Sequence, residues 1–249
     1  MPVLGVIPAR LGSTRLPRKP LLPLGGEPLI LLVSRRIADL RLCDRLVVAT
    51  DAREIAKVVT DAGLEAVMTS PDHTSGTERV AEVIAKPGFS SFNFILNVQG
   101  DEPFVAAAAV RGALACLEGG DPLGTAAGSL EPALVNDPAR VKVVVDARGR
   151  AVYFSRAPIP FDRDGTGDVV YHQHVGVYAY TREALEAWVR LPPVPEEKWE
   201  RLEQLRPLLH GIPMGVTLFD EPAAPGIDTP ADLEWAEAKI TRQMKEVSS

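Results

Sequence analysis

The stretch Val3-Leu-Gly-Val-Ile-Pro-Ala-Arg-Leu-Gly-Ser-Thr-Arg-Leu-Pro-Arg-Lys19 decides how the rest of the chain is read. Its first five residues form a short apolar run closed by Pro8, the pattern of a strand buried on both faces. No basic segment precedes the run, and it is too short for a secretory leader, so a strand of the mature fold is expected. The next residues are basic: Arg10, Arg15, Arg18 and Lys19 all come before the first acidic residue, Glu27. Such a cluster is either a solvated surface or the holder of an anion, and position separates the two. In open α/β sheets ligands lie outside the carboxyl ends of the strands, and this loop leaves the carboxyl end of the first one. There Gly12 lets the backbone approach a phosphate, Ser13 and Thr14 add donors, and Arg15 and Lys19 compensate its charge. The spacing matches neither G-x-x-x-x-G-K-[S/T] nor G-x-G-x-x-G, which argues against P-loop kinases and nicotinamide enzymes.

Outward from this loop, strands and helices alternate. Apolar positions at helical spacing run from Pro28 to Leu40, and Arg45–Thr50 reads as a second strand. Asp51 is expected to cap a helix reaching Asp61, which Gly63 stops. Residues 65–68 give a third strand, 77–86 a helix, 94–98 a fourth strand, and 106–118 an Ala-rich helix ended by Gly119 and Gly120. This rhythm means βαβ units and a parallel sheet. After residue 120 the pattern turns β-rich: strands at 124–131, 141–145, 151–155 and 174–180, with a short helix at 182–191. A helix over 196–209, a strand over 214–219 and a last amphipathic helix over 230–245 complete the pattern. No linker separates the halves, so the expected class is α/β: one mixed domain spanning 1–249, a mostly parallel central sheet carrying a β-rich insertion.

The 249 residues are 46% hydrophobic, enough for a core without covalent staples. A net charge of −6 disfavours nucleic acid and anionic membranes as partners. No run of 18 apolar residues offers a spanning helix. The two cysteines, Cys43 and Cys116, make no disulfide framework, and a reduced, cytoplasmic setting is expected.

Several segments share a resemblance. Arg10-x-x-Ser-Thr-Arg15-Leu-Pro-x-Lys19 resembles the signature of sugar nucleotidyltransferases, a motif that several families share. Ala49-Thr-Asp51, Asp72-His-Thr-Ser-Gly-Thr-Glu-Arg79, Asn97-Val-Gln-Gly-Asp-Glu-Pro103 and Val141-Lys-Val follow. Tyr153-Phe-Ser-Arg156-x-x-Ile-Pro, His174-Val-Gly-Val-Tyr178, Leu202-Glu-Gln-Leu-Arg206 and Asp228-Thr-Pro complete the set. Together, and in this order over nearly the whole chain, they are similar to the CMP-Kdo synthetase family, the 3-deoxy-manno-octulosonate (Kdo) cytidylyltransferases.

The resemblance implies a Rossmann-like nucleotidyltransferase fold, with residues 1–120 as a nucleotide-binding half and 121–249 as a sugar-binding and dimerisation half. It implies transfer of CMP from CTP to Kdo with release of pyrophosphate, for lipopolysaccharide synthesis, by a cytoplasmic homodimer using Mg²⁺. The catalytic residues it points to are Arg15, Lys19, Asp101 and Asp228, with Asp101 and Asp228 on the metal. CTP falls to Ala9, Arg10, Arg15, Lys19, Thr50, Ser75, Gly76, Thr77, Arg79, Gln99 and Asp101. Kdo falls to Gln99, Arg156, Arg163, His174, Tyr178, Glu203, Gln204 and Asp228.

Read without the resemblance, many of these residues stay ambiguous. Asp101 follows a strand, where a helix cap is common. Glu203 and Gln204 fall in a helical pattern, ordinarily solvent-facing. Arg156 and Arg163 lie near turns, solvated as often as functional. Lys142 reads as a phosphate or sugar ligand or as an edge-strand charge, and His73 as structural. His172 and His174 share a strand face without a third soft ligand, which disfavours zinc. Two other readings remain open. One is activation of a different acidic sugar, such as N-acylneuraminate; the other is a nucleotide-binding regulator without turnover.

Overall fold

A computed structural model describes residues 1–12 and 15–247; Ser13 and Thr14, expected to donate to phosphate, lie outside the described residues. β1 (Val3–Ala9) leads through the basic loop to a short hairpin, β2 (Pro23–Leu24) and β3 (Glu27–Pro28), and then to α1 (Leu29–Leu40). β4 (Arg45–Thr50), α2 (Arg53–Asp61), β5 (Glu65–Met68), α3 (Gly76–Ala85), β6 (Phe94–Val98) and α4 (Ala107–Glu118) continue the alternation. β7 (Leu123–Leu130), β8 (Lys142–Val145), β9 (Ala151–Ser155) and β10 (Tyr171–Thr181) form the β-rich part. α5 (Arg182–Trp188), α6 (Pro195–Glu200), α7 (Leu205–Leu209), β11 (Met214–Pro222) and α8 (Pro230–Val247) finish the chain.

Among the described residues one nine-stranded sheet runs in the order β11-β7-β10-β6-β1-β4-β5, with β8 paired to β10 and β9 to β8. β1 pairs in parallel with β4 and β6, and β4 with β5. β10 runs antiparallel to both β6 and β7, while β11 is parallel to β7. The sheet is thus mixed and mostly parallel, with the β8–β9 hairpin as its insertion. Alternation along the central strands splits the core in two. Leu4, Val6, Val47, Ala49 and Ile95 face one side, against Val80, Val83, Phe154, Trp188 and Leu205. Ile7, Val48, Leu96 and Val98 face the other, against Leu29, Ile37, Ile55 and Val110.

Two local expectations change. Asp51 does not cap α2; Ala52 holds that position without a side-chain bond, and the Asp51 carboxylate instead accepts from Arg79 Nη2 at 3.2 Å. The expected helix over 196–209 is broken into α6 and α7 by Arg201, which adopts left-handed backbone at φ 53°. The cause is tertiary. The carbonyls of Glu200 and Arg201, at the end of α6, accept from Arg156 Nε at 2.7 Å and Nη2 at 3.4 Å, so a cation takes up groups that further helix would have used.

Candidate active site

The carboxyl ends of β1 and β6 open onto a cavity of about 480 Å³. A second cavity, of about 640 Å³, extends from it toward β8, β10 and the α6–α7 junction. Arg10, Ser75, Gly76, Gln99, Asp101 and Asp228 belong to the walls of both. Volumes of this size fit small-molecule ligands.

At the junction two carboxylates converge on one ammonium. Lys19 opens a short 3₁₀ turn directly after Arg18, which is held at φ 59°. Its Nζ donates to Asp101 Oδ2 at 2.5 Å and to Asp228 Oδ1 at 2.9 Å. Arg15 Nη2 donates to the other Asp228 oxygen at 2.9 Å. Asp101 sits in the turn after β6, and Asp228 just before α8. Ile227 N–H bonds the carbonyl of Asp101 at 2.9 Å, tying the two segments together. Thr229 and Asp232 then cap α8 reciprocally: Asp232 N–H donates to Thr229 Oγ1 at 3.2 Å, and Thr229 N–H to Asp232 Oδ2 at 2.8 Å. Asp228 is thereby fixed one residue ahead of a rigid helix start. Burial alone would lower the Lys19 pKa, but both carboxylates outweigh it and hold the ammonium above its usual range. Burial would raise Asp228, but Lys19 and Arg15 hold it below the usual carboxylate range.

The donor set fits a hard divalent cation. Asp101 Oδ1 is buried without a hydrogen-bond partner, next to oxygens now shared with an ammonium. Among the described residues no cluster of three or more His, Cys, Asp or Glu side chains is arranged for a metal. Protein ligands would stop at two carboxylates, with remaining positions left to phosphate oxygens and water, the habit of Mg²⁺.

A tight backbone crossing supports Asp101. Gly176 of β10 passes over the Gln99–Glu102 turn: Gln99 N–H donates to Gly176 O at 3.0 Å, and Gly176 N–H to Glu102 Oε1 at 3.2 Å. A Cβ at Gly176 would stand 2.8 Å from Glu102 Oε1 and 3.1 Å from Gln99 Cδ. Burial, then the Asp101 charge, pushes the Glu102 carboxyl up to about 8.

Ala9, Arg10, Arg15, Lys19, Ser75, Gly76, Arg79, Gln99 and Asp101 all line the first cavity. Ser75 caps α3 through a capping box with Glu78. Arg79 is 2% exposed and committed to Asp51, Thr69 and Ser70, so it braces the wall. Thr50 and Thr77 are buried and line neither cavity, Thr77 lying behind the wall at Glu203. Thr50 Oγ1 accepts from Ala52 N–H at 3.1 Å, at the end of β4.

Arg156, His174, Tyr178, Glu203, Gln204, Gln99 and Asp228 line the second cavity. Arg156 gives three N–H groups to the carbonyls of Glu200, Pro138 and Arg201. Among the described residues no carboxylate lies within ion-pair distance of its guanidinium; the nearest acidic contact is at its backbone, where Arg156 N–H donates to Glu200 Oε2 at 2.9 Å. Lys142 stands behind it. Far from being an edge charge or a ligand, its side chain is fully buried and donates to the carbonyls of Arg156 at 2.5 Å and Asp137 at 3.2 Å. His174 Nε2 lies 3.0 Å from Thr125 Oγ1 and packs against Phe154 and Tyr178; burial holds its pKa at about 3. His174 and Tyr178 stay together despite a register shift between them. Glu203 and Gln204 lie between α6 and α7, not on a continuous helix, which turns them inward. Burial raises the Glu203 carboxyl, which faces the Ser75 and Thr77 hydroxyls. His73 bonds Glu82 at 2.6 Å, a bracing contact.

Arg163 is not brought to either cavity. It is exposed, on a loop wound around Asp162, whose carboxylate accepts from the backbone N–H groups of Gly165, Thr166 and Gly167. Conversely, Asn97, Glu102, Arg140 and Arg201 line the site without having been singled out. Asn97 had a signal, a polar residue inside the run Phe-Ile-Leu-Asn-Val: its Nδ2 donates to Tyr180 Oη at 2.9 Å and its Oδ1 is buried without a partner. Arg201 carried none.

Residues 4–214 match the cytidylyltransferase family. The chain is similar to a 3-deoxy-manno-octulosonate cytidylyltransferase of Gemmatimonas aurantiaca, with 54% identity over 238 residues, 94% of this chain and 92% of that protein. It is 44% identical over 247 residues to a protein of the same name from Methylococcus capsulatus, covering 95% and 96% of the two. Among solved structures it is similar to a CMP:2-keto-3-deoxy-manno-octonic acid synthetase complexed with CTP. That likeness has a TM-score of 0.90 and 38% identity, over 98% of this chain and 100% of the other.

Proposed function

Because the chain belongs to the cytidylyltransferase family, we propose that it joins CMP from CTP to 3-deoxy-manno-octulosonate, releasing pyrophosphate. In that reaction the sugar's anomeric hydroxyl attacks the α-phosphorus; the new O–P bond forms as the bond from that phosphorus to the α,β-bridging oxygen breaks, the oxygen leaves with pyrophosphate, and the hydroxyl proton passes to solvent. The observation that carries the reading is the meeting of Lys19, Arg15, Asp101 and Asp228 where the two cavities join. One cavity has a cationic mouth suited to a triphosphate, and the other has Arg156 in its wall, suited to a sugar carboxylate.

Lys19 and Arg15 face the developing charge on the departing pyrophosphate, in a partly enclosed site where such contacts count for more than in water. Asp101 and Asp228 are the ligands for Mg²⁺, which when bound neutralises phosphate charge and lowers the pKa of the attacking hydroxyl. Ala9, Arg10, Ser75 and Gly76 form the nucleotide wall, braced by Arg79. Gln99, His174, Tyr178, Glu203 and Gln204 offer hydrogen bonds to sugar hydroxyls. Neutral His174 serves there as a donor or acceptor and not as a cation, in keeping with its depressed pKa.

Residues 1–120 chiefly serve the nucleotide and 121–249 the sugar, with Arg201, Glu203 and Asp228 crossing to the first cavity. Assembly as a homodimer through the second half is supported by apolar side chains left in solvent on and beside the insertion: Val152, Phe161, Val170 and Trp199 are 54%, 80%, 69% and 77% exposed. No helix among the described residues is long and apolar enough to cross a membrane.

Pyrophosphate release from CTP and Mg²⁺ with a panel of acidic sugars tests the reading. Release with Kdo is expected. Release with N-acylneuraminate and not Kdo would overturn the substrate; saturable CTP binding without release for any sugar would overturn the activity.

A further inference from the structure

Lys19 bridges Asp101 and Asp228. Its Nζ lies 2.5 Å from Asp101 Oδ2 and 2.9 Å from Asp228 Oδ1, one oxygen of each carboxylate to which the preceding reading gives the metal. The Lys19 side chain is 14% exposed and the Asp101 side chain 18%, so that half of the bridge is shielded from solvent, whereas Asp228, at 41%, opens to the cavity. With Arg15 on the second Asp228 oxygen, two positive and two negative side chains close on one another with no net charge.

We propose that Lys19 is a resident counter-ion: it holds the two carboxylates together in the free protein and gives up its place when a divalent cation binds. The inference rests on the assignment of Asp101 and Asp228 as metal ligands. Without an ammonium between them, two carboxylates held this close would repel, and the Ile227–Asp101 tie would have to bear that repulsion. The bridge therefore preforms the site. It also sets a cost on loading, since a cation arriving alone must break the Lys19 contacts and leave that ammonium without a partner. A triphosphate removes the cost by offering its oxygens to Lys19 and Arg15 as they leave Asp101 and Asp228. Metal and nucleotide are then coupled: each binds better when the other is present, through one swinging side chain.

Mn²⁺ alone, followed by water-proton relaxation or electron paramagnetic resonance, reads this exchange without turnover. Lys19→Gln and Lys19→Met should bind Mn²⁺ more tightly than the unmodified protein, by about tenfold, within the usual range of such couplings. Unchanged or weaker affinity in both variants would overturn the exchange. Asp101→Asn should lose Mn²⁺ in either background. Loss there with no gain in the Lys19 variants overturns the exchange alone; retention in Asp101→Asn overturns the metal-site assignment and the exchange with it. A second measurement needs no variant. Acylation of Lys19, read by mass spectrometry, should be slow in the free protein and accelerate when Mn²⁺ is added. Labelling that Mn²⁺ leaves unchanged or slows would refute the displacement.

Discussion

Gly176→Ala probes how tightly the sheet holds the site. The glycine adopts ordinary backbone, so alanine suffers no conformational strain, and loss of chain freedom in the unfolded state favours it by about 0.4–1 kcal/mol. Against this stands the new methyl, 2.8 Å from Glu102 Oε1 and 3.1 Å from Gln99 Cδ. The Glu102 oxygen is the end of a flexible side chain, but it is buried and bonded to the very N–H beside the methyl, so it has little room to yield. Overpacking of this kind costs about 1–3 kcal/mol, which outweighs the entropy gain. A net loss of about 0.5–2 kcal/mol is expected, lowering Tm by a few degrees at about 2–4 °C per kcal/mol for a chain of this size. Because Asp101 lies between Gln99 and Glu102, a shift of about half an ångström reaches the carboxylate. With about a hundredfold lost per ångström of misplacement, kcat for pyrophosphate release should fall about tenfold. Urea denaturation and the pyrophosphate assay measure the two effects. Combining Gly176→Ala with Glu102→Ala should lose less stability than the sum of the single losses, by at least about 0.5 kcal/mol. A Gly176→Ala protein as stable and active as the parent, or strict additivity with Glu102→Ala, would refute the reasoning.

Arg15→Ala should weaken the dependence on CTP far more than that on the acidic sugar, since it removes one of the two cations at the phosphate end; an unchanged KM for CTP would remove Arg15 from that role. Arg201→Gln takes a guanidinium from the wall between the cavities while leaving its carbonyl bond to Arg156, so KM for the acidic sugar should rise several-fold with little change in the unfolding midpoint. If neither KM moves, Arg201 is a bystander. His174 stays neutral in the fold down to about pH 3, whereas the unfolded side chain takes a proton below its ordinary value of 6.5. The unfolded state then binds the extra proton, so stability is lost as pH falls through 6.5, at up to about 1.4 kcal/mol per pH unit. Urea midpoints for His174→Gln should therefore decline less steeply on acidification than those of the parent, and equal slopes would show that His174 titrates alike in both states.

Much of the fold was legible because the first half obeys period and punctuation. The apolar runs at 3–7, 45–50 and 94–98 became β1, β4 and β6, and the carboxyl ends of β1 and β6 open the site. The loop cations and the two aspartates were legible as residue types, but not as neighbours. What joins positions 19, 101 and 228 is the strand order β6-β1-β4 together with the Ile227–Asp101 bond, neither of which leaves a local trace. The break at Arg201 was hidden for a related reason. Trp199 to Gln204 have no helix breaker, and the chain turns there because Arg156, more than forty residues earlier, claims the carbonyls. Lys142 misled because a charge in an alternating strand looks exposed, whereas its ammonium finds two carbonyl partners in the interior. Arg163 shows the converse, since a motif neighbour of Arg156 can sit on a loop that folds around its own Asp162.

The bond from Ile227 N–H to the Asp101 carbonyl also bears on how the protein is made. A ribosome delivers the basic loop and the first carboxylate early, and the sheet can pair around them while the second carboxylate has yet to emerge. Until residues 227–232 dock and α8 starts, the nucleotide mouth lacks Asp228 and Lys19 has only one of its two partners. The four-membered cluster at the cavity junction is thus completed only after most of the sheet has been made, and a product truncated before residue 227 would carry Lys19 on Asp101 alone.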